Sequence, residues 1–490
     1  MIGPYQMAFI NLIGSLSILV GALFYKFIFP KRNINLFVLL LIISILPIIS
    51  VFRVGDYESG DFNIHIYRML SFYNSLKEGI FIPSWAADLN ATYGNPLFIF
   101  NYSLPYYFIC FLHFLGVSFI TGTKFFLGLS LYLSGIFMYL FVEKITKHKL
   151  AAFTAGIFYV FTPYHLIDVH FRATLGESAI FTIVPLVFLF IYKYHEENKL
   201  TFLVIVSLLT AILISVHPLL AVVFLCVAFL YVLLLGITAR KFKSVILSTL
   251  SLLIGGVTAF YLWLPYLLYS PYMFKLPALP SSHVVFYDFS LLFYSPWRFG
   301  FLFQGPKGEL AMIIGYTQIL VVVLLSILVL KNKLSKKIRP FALFWLGLFI
   351  LFVLLMNPAS TIFWDIFPSS FSGMLVLYGR LSLILVFCTT LIAAYFTLSF
   401  SNTKKKKAVI FLILIITIGY TILNWGQRRV IPQINDAILA KNVPFSTVNE
   451  GETAYFLNTK WADPNHFWFS ELPKQHLEIT KGIGAVKEIK

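Results

Sequence analysis

Residues 200–237 read LTFLVIVSLLTAILISVHPLLAVVFLCVAFLYVLLLGI, two apolar runs joined by His217 and Pro218. Neither run contains Asp, Glu, Lys or Arg. About 20 residues of helix rise about 30 Å, the thickness of a bilayer's hydrocarbon core. A His-Pro pair between two such runs leaves room only for a tight turn, so the stretch reads as two antiparallel membrane crossings. Comparable runs recur along nearly the whole chain. Of 490 residues, 59% are hydrophobic and 12% charged, against about 25% charged in a soluble domain. A water-soluble globule, a disordered chain and a disulfide-rich scaffold are excluded. The fold class is an all-α polytopic membrane protein.

Working outward from that pair, crossings are expected at about 7–28, 35–53, 120–142, 150–167, 176–194, 200–216, 218–237, 244–269, 310–330, 340–356, 376–400 and 408–425, about 12 transmembrane helices in all. Six tight connections alternate with longer ones. They hold Lys26, Lys31 and Arg32; Lys144, Lys147 and Lys149; Lys193 and Lys199; Arg240, Lys241 and Lys243; Lys331, Lys333, Lys336, Lys337 and Arg339; and Lys404 to Lys407. Only Glu143, Glu196 and Glu197 accompany them, so these connections carry the whole formal net charge of +17. Basic residues in short loops mark the cytoplasmic side. The excess charge is therefore topological and calls for no nucleic acid. The chain is expected to be multi-pass in the cell membrane with both termini outside.

Residues 1–425 form the expected transmembrane module, with outer loops at 53–119 and 270–309, and 426–490 form a short extracytoplasmic C-terminal tail. Residues 96–117 are apolar, yet Pro96, Asn101, Ser103 and Pro105 interrupt them. A crossing there would place Glu143–Lys149 on the wrong side, so the stretch reads as an interfacial or re-entrant part of a long, partly helical first outer loop. The N-terminal run has no basic leader and reads as a helix rather than a signal peptide. Cys110, Cys226 and Cys388 lie in apolar stretches, with no spacing that suggests zinc or a disulfide framework.

Ionisable groups at membrane depth are costly and mark candidate sites. One cluster opens the first outer loop with Arg53, Asp56, Glu58, Asp61, His65 and Arg68. From Asp61 the sequence DFNIHIYRMLSFYNSLKEG predicts a helix ending at Gly79. Asp61, His65 and Arg68 stand at i, i+4 and i+7 and share one face. A plain alternative is that Asp61 only caps a salt-bridged surface helix. A second cluster, PYHLIDVHFRATLGES at 163–178, brings Asp168, His170, Arg172 and Glu177 to the outer edge of the bundle. Arg offers a planar fork for phosphate, and a carboxylate beside it would hold it in place; the alternative is an Arg–Glu pair that only pins two helices. His217, His283, Arg298 and Arg380 are weaker candidates on the same side. The inner side has short basic links and no P-loop or GxGxxG, which argues against cytoplasmic nucleotide chemistry.

A long first outer loop that opens with an acidic residue, followed by a multi-helix bundle, resembles the GT-C class of integral membrane glycosyltransferases. More specifically, the chain resembles the prokaryotic membrane family labelled pyruvoyl-tetrahydropterin-synthase-related, although nothing in it resembles a soluble pterin enzyme. GDFNIHIYR matches the family's loop at Asp61, His65 and Arg68. Gly79, Pro83 and Trp85, then Tyr93, Gly94 and Pro96, match its next two stretches. Pro163, Tyr164, Arg172 and Glu177 match its Pro-Tyr/Arg/Glu block. Many GT-C enzymes carry adjacent acidic residues in this loop; here Asp61 is flanked by Gly60 and Phe62, with Glu58 and Asp56 the nearest acids.

The resemblance implies a glycosyltransferase that moves a sugar from a polyprenyl-phosphate-linked donor to an envelope acceptor on the extracytoplasmic face, the acceptor being a glycan, lipid or protein. It implies Asp61 as catalytic base assisted by His65, with Arg172 and Arg380 as phosphate partners and Glu177 holding Arg172. Asp56, Arg68, His283 and Arg298 complete the expected substrate-binding set. The cofactor expectation is open: none is required, and a divalent metal ion, if used, would take Asp61 and Asp56. Membrane lipids are the other expected partners, and nucleic acid is not. The alternatives are a lipid-linked-sugar flippase or transporter, an outer-face glycan ligase or polymerase, and an inactive scaffold.

Overall fold

The computed structural model describes residues 4–57, 59–273, 292, 314–366, 379–425 and 430–443. Among them the chain is helical throughout, apart from one two-stranded antiparallel pairing of Asp56–Tyr57 with Val430–Ile431. Every expected crossing has a helical counterpart. Length and composition, however, qualify five helices alone: Phe9–Ile28, Phe119–Thr146, Leu175–Glu197, Pro218–Ala239 and Ser382–Phe400. Among the described residues the number rises to eight if each bent pair is one span, fewer than the expected twelve. The physical reason is broken or shortened helices. Lys149–Val160 and Pro163–Arg172 meet at 46°, Phe242–Thr258 and Phe260–Tyr272 at 61°, and Arg339–Leu355 and Pro358–Trp364 at 90°. Leu36–Phe52, Leu200–Val216 and Tyr316–Leu330 are apolar but short. The 96–117 stretch divides, as its prolines suggest, into Leu97–Phe100 and Leu104–Phe114, neither long enough to cross.

Ser382–Phe400 is the central helix, with nearly every side chain from Ser382 to Thr397 buried. It packs against Lys149–Val160, Arg339–Leu355 and Tyr316–Leu330. Phe119–Thr146, Lys149–Val160 and Leu175–Glu197 pack on one another beside it. The outer surface is apolar: Phe9, Phe24, Leu200, Ile246, Val257 and Ile350, among many others, are exposed. A contiguous apolar exterior of this extent fits lipid rather than water as its solvent. Cys226 belongs to this exterior, whereas Cys110 and Cys388 are buried.

The connections decide which end is which. Lys147, Asn198 and Arg240 each follow a helix in the left-handed conformation, with φ of 55°, 56° and 54°, closing it so that the next helix can turn back at once. Three basic connections meet at one end of the bundle. Lys144 pairs with Glu196 at 2.6 Å and Glu197 at 3.1 Å, and Lys241 donates to the His195 carbonyl at 2.7 Å. Glu177 begins the Leu175–Glu197 helix that ends there. At about 1.5 Å per residue, Glu177 stands about 28 Å from Glu196, close to the thickness of the hydrocarbon core.

Candidate active site

The loop helix Phe62–Lys77 starts at Asp61, which has the position of an N-cap but not the role: its side chain makes no capping hydrogen bond. Among the described residues the Asp61 carboxylate has no hydrogen-bond partner. The helix is also no salt-bridged surface helix, since Phe62, His65, Ile66, Met69 and Phe72 are buried. The main chain instead fixes Asp61. Gly60 N–H donates to the Phe171 carbonyl at 2.7 Å and Asp61 N–H to the Arg172 carbonyl at 2.8 Å. Those carbonyls are available because the Pro163–Arg172 helix ends in a π-helical turn, Asp168–Arg172, and Ala173 then adopts φ +55°. Thr174 N–H closes the turn on the Asp168 carbonyl at 3.0 Å.

Arg172 is held on all sides. Its Nη1 donates to Asp168 Oδ1 (2.6 Å), Glu177 Oε2 (2.8 Å) and Tyr164 Oη (3.0 Å), and Nη2 donates to Glu177 Oε1 (2.8 Å). The Glu177 pairing is the bidentate fork that only Arg forms. Tyr164 also donates to Glu177 Oε2 at 2.8 Å. Arg380 reaches the same carboxylate from the start of the central helix, with Nε 3.3 Å from Oε1, and its side chain remains 21% exposed. Glu177 thus binds two arginines from different parts of the chain. His217 sits at the adjoining turn, where its Nδ1 accepts from Leu220 N–H at 3.4 Å.

Arg68, two turns along the loop helix from Asp61, forms no ion pair among the described residues, and its Nε is buried without a partner. Burial pushes the Asp61 carboxyl above the ordinary carboxylate range, while the Arg172, Arg68 and Arg380 charges pull it back and Glu177 pushes it up. The loop carboxylate therefore sits where burial raises its basicity and three guanidiniums keep the ionised form accessible.

His65 does not serve Asp61 as expected. Its Nδ1 lies 3.0 Å from Tyr106 Oη, its Nε2 is buried without a partner, and burial with the Arg68 charge lowers it to about 3. The ring is neutral and belongs to an aromatic wall: Tyr106 and Tyr102 centroids lie 5.9 and 6.4 Å away. Asp56 also stands apart. Its Oδ1 accepts its neighbour Tyr57 N–H at 2.6 Å, and Asn63 and the Lys124 charge stabilise it on that side of the loop. Among the described residues no three His, Cys, Asp or Glu side chains are grouped to hold an ion, and one Asp56 oxygen is already taken by Tyr57 N–H. His283, Arg298 and Glu58 lie outside the described residues.

The structure therefore brings together Asp61, Arg68, Arg172, Glu177 and Arg380. Sequence reasoning missed Tyr106 and the partnership of Tyr164. Tyr164 lay in a motif already singled out, and Tyr106 follows Pro105 in the interrupted 96–117 run, where a hydroxyl stands out among apolar neighbours.

An uncharacterized protein of Lactococcus lactis subsp. cremoris is 26% identical over 244 residues, which are 48% of this chain and 40% of that protein. The arabinofuranosyltransferase AftD from Mycobacteria, solved by cryo-electron microscopy, is 14% identical, with a TM-score of 0.46 over 80% of this chain and 26% of that one. The chain thus matches less than half the length of either. A model of the 6-pyruvoyl-tetrahydropterin synthase related domain, described as a membrane protein, matches residues 99–427. Arg172, Glu177 and Arg380 lie inside that stretch, and Asp61, His65 and Arg68 precede it. With two thirds of its length matched, the chain belongs to the 6-pyruvoyl-tetrahydropterin synthase related family of membrane proteins.

Proposed function

We propose that this protein transfers a sugar from a polyprenyl-phosphate-linked donor to an envelope acceptor at the outer face of the cell membrane, as a GT-C type enzyme. The observation that carries the reading is the Asp61 carboxylate, which has no hydrogen-bond partner among the described residues yet is fixed through its own backbone beside Arg172 and within the field of three arginines. Such a group is suited to proton removal rather than to structure.

In the reaction, the acceptor hydroxyl oxygen attacks the anomeric carbon of the donor sugar. Asp61 takes the hydroxyl proton, the new C–O bond forms, and the bond from the anomeric carbon to the phosphate oxygen breaks. The polyprenyl phosphate leaves with the electron pair. Arg68 and Arg380, whose charges both act on Asp61, would stabilise the leaving phosphate. Arg172 would act by holding its own carbonyl, and with it Asp61, in place. The outer-face assignment is supported by the distance of the cluster from the end where basic connections gather. A flippase reading is less favoured, since it calls for ionisable groups near the midplane reachable from both sides.

The test is mass spectrometry of envelope glycans and polyprenyl-linked sugars. A deletion strain is compared with strains re-expressing wild type or Asp61→Asn at matched membrane levels. The reading requires a glycan modification to vanish and its lipid-sugar to accumulate, with only wild type restoring both. Full restoration by Asp61→Asn would sink it.

A further inference from the structure

We infer that residues 430–443, which follow the last membrane helix, form a clamp that sets the position of the Asp61-bearing loop, with Asp436 as its positioning residue. The inference rests on the proposed role of Asp61. The clamp is built from three attachments. Val430–Ile431 pairs antiparallel with Asp56–Tyr57, five residues before Asp61. Asp436 Oδ2 accepts Phe119 N–H at 2.6 Å and Oδ1 accepts Ile120 N–H at 3.2 Å. The short helix Asp436–Asn442 that follows lies on the loop helix and buries Leu439.

Phe119 and Ile120 open the 28-residue helix Phe119–Thr146, and the first N–H groups of a helix have no partner within it. Ser118 Oγ satisfies the third, Thr121 N–H, at 3.1 Å. Asp436 satisfies the other two with a charge of the sign the helix start favours. One turn further along the same helix, Lys124 Nζ donates to the carbonyls of Arg53 (2.6 Å) and Gly55. A single helix start therefore grips both the entry of the first outer loop and the segment 430–443. Gly55 shows how close the two run: it has φ +81°, and a Cβ there would meet the Ile431 carbonyl oxygen and Pro432 Cα. The loop is then fixed on both sides of the carboxylate, at 56–57 by the clamp and at 60–61 by the carbonyls of Phe171 and Arg172.

The test uses the full chain in three arms. In the first, Tyr57→Cys with Val430→Cys in a Cys226→Ser background is oxidised in membranes, and free thiols are counted with maleimide–polyethylene glycol tags. Loss of two tags is expected, and full tagging overturns the clamp. In the second, hydrogen exchange compares Asp436→Ala with wild type. Exchange at Gly60 and Asp61 should quicken about tenfold while the central helix is unchanged; unchanged exchange at Gly60 and Asp61 overturns the positioning. In the third, Asp436→Ala should lower kcat about tenfold with donor KM within about twofold, and Asp436→Asn should recover part of it, because a displaced base slows chemistry more than binding. A rise in donor KM alone, with kcat intact, overturns the positioning role. If wild type itself shows no transfer, the proposed function fails, and the first two arms still judge the clamp.

Discussion

The N–H of Asp61 donates to the carbonyl of Arg172 at 2.8 Å, so the loop carboxylate and the buried guanidinium are joined through the main chain and by no side-chain hydrogen bond between them. Neither side chain is an atom-for-atom part of that link. This separates chemistry from architecture and allows each to be tested alone.

Asp61→Asn should abolish product while leaving the protein in the membrane. The carboxylate has no described hydrogen-bond partner to lose, and removal of a general base costs about 10²–10⁴-fold. Product by mass spectrometry, set against membrane protein by quantitative blot, checks it. Equal loss of both would mark Asp61 as structural.

Glu177→Gln and Arg172→Lys should instead destabilise. Breaking one partner of a buried ion pair costs about 3–5 kcal/mol, and Glu177 serves Arg172, Arg380 and Tyr164 at once. Lys cannot reproduce the bidentate fork, so it is no conservative replacement. Melting of the detergent-solubilised protein should show a large drop for both; a drop only in activity would contradict the account.

Arg380→Gln should be mild for stability and severe for donor binding. The side chain is partly exposed and its ion pair with Glu177 is at 3.3 Å, a weak arrangement. Loss of one phosphate contact should weaken a polyprenyl-phosphate probe about tenfold, within the range of a charge-assisted hydrogen bond. Equal binding by wild type and variant would remove Arg380 from the donor site.

The pH dependence follows from two opposite shifts. Asp61 works as the ionised base and burial raises it, so the rate should fall as pH drops through a value above the ordinary carboxylate range. His65 is lowered from 6.5 to about 3, so between those values the unfolded chain binds the proton and the folded one does not. Stability should therefore decline as pH falls from about 6.5 toward 3, by at most about 1.4 kcal/mol per pH unit. His65→Gln should flatten that decline without removing the acid limb of the rate. A rate profile that loses its acid limb in His65→Gln would transfer the base role to the histidine.

Much of this was legible in the sequence. Apolar runs place the helices, the prolines and polar interruptions of 96–117 locate the break there, and Asp61, His65 and Arg68 lie on one face as their spacing requires. Arg172 beside Glu177 was readable because five residues separate them at a helix junction. What could not be read depends on distant partners. His65 meets Tyr106, 41 residues on, rather than Asp61. Asp56 turns toward Tyr57 and the Lys124 side. The pairing of 56–57 with 430–431 involves strands of two residues, too short to leave any periodicity. The bends within the apolar runs could not be read either, because apolar composition does not report where a helix breaks.

The π-helical turn at Asp168–Arg172 and the left-handed Ala173 have a consequence for how the sequence of this protein can change. A straight helix would consume the Phe171 and Arg172 carbonyls internally, and the first outer loop would have nothing to hold. Inserting or deleting one residue between Pro163 and Leu175 would turn those carbonyls by about 100°, given 3.6 residues per turn, and swing the Arg172 guanidinium away from Glu177. Length in this stretch is therefore constrained more tightly than residue identity. Substitutions at Val169 or Ala173 leave the main-chain links available, whereas a one-residue change in spacing breaks both links and the ion pair together.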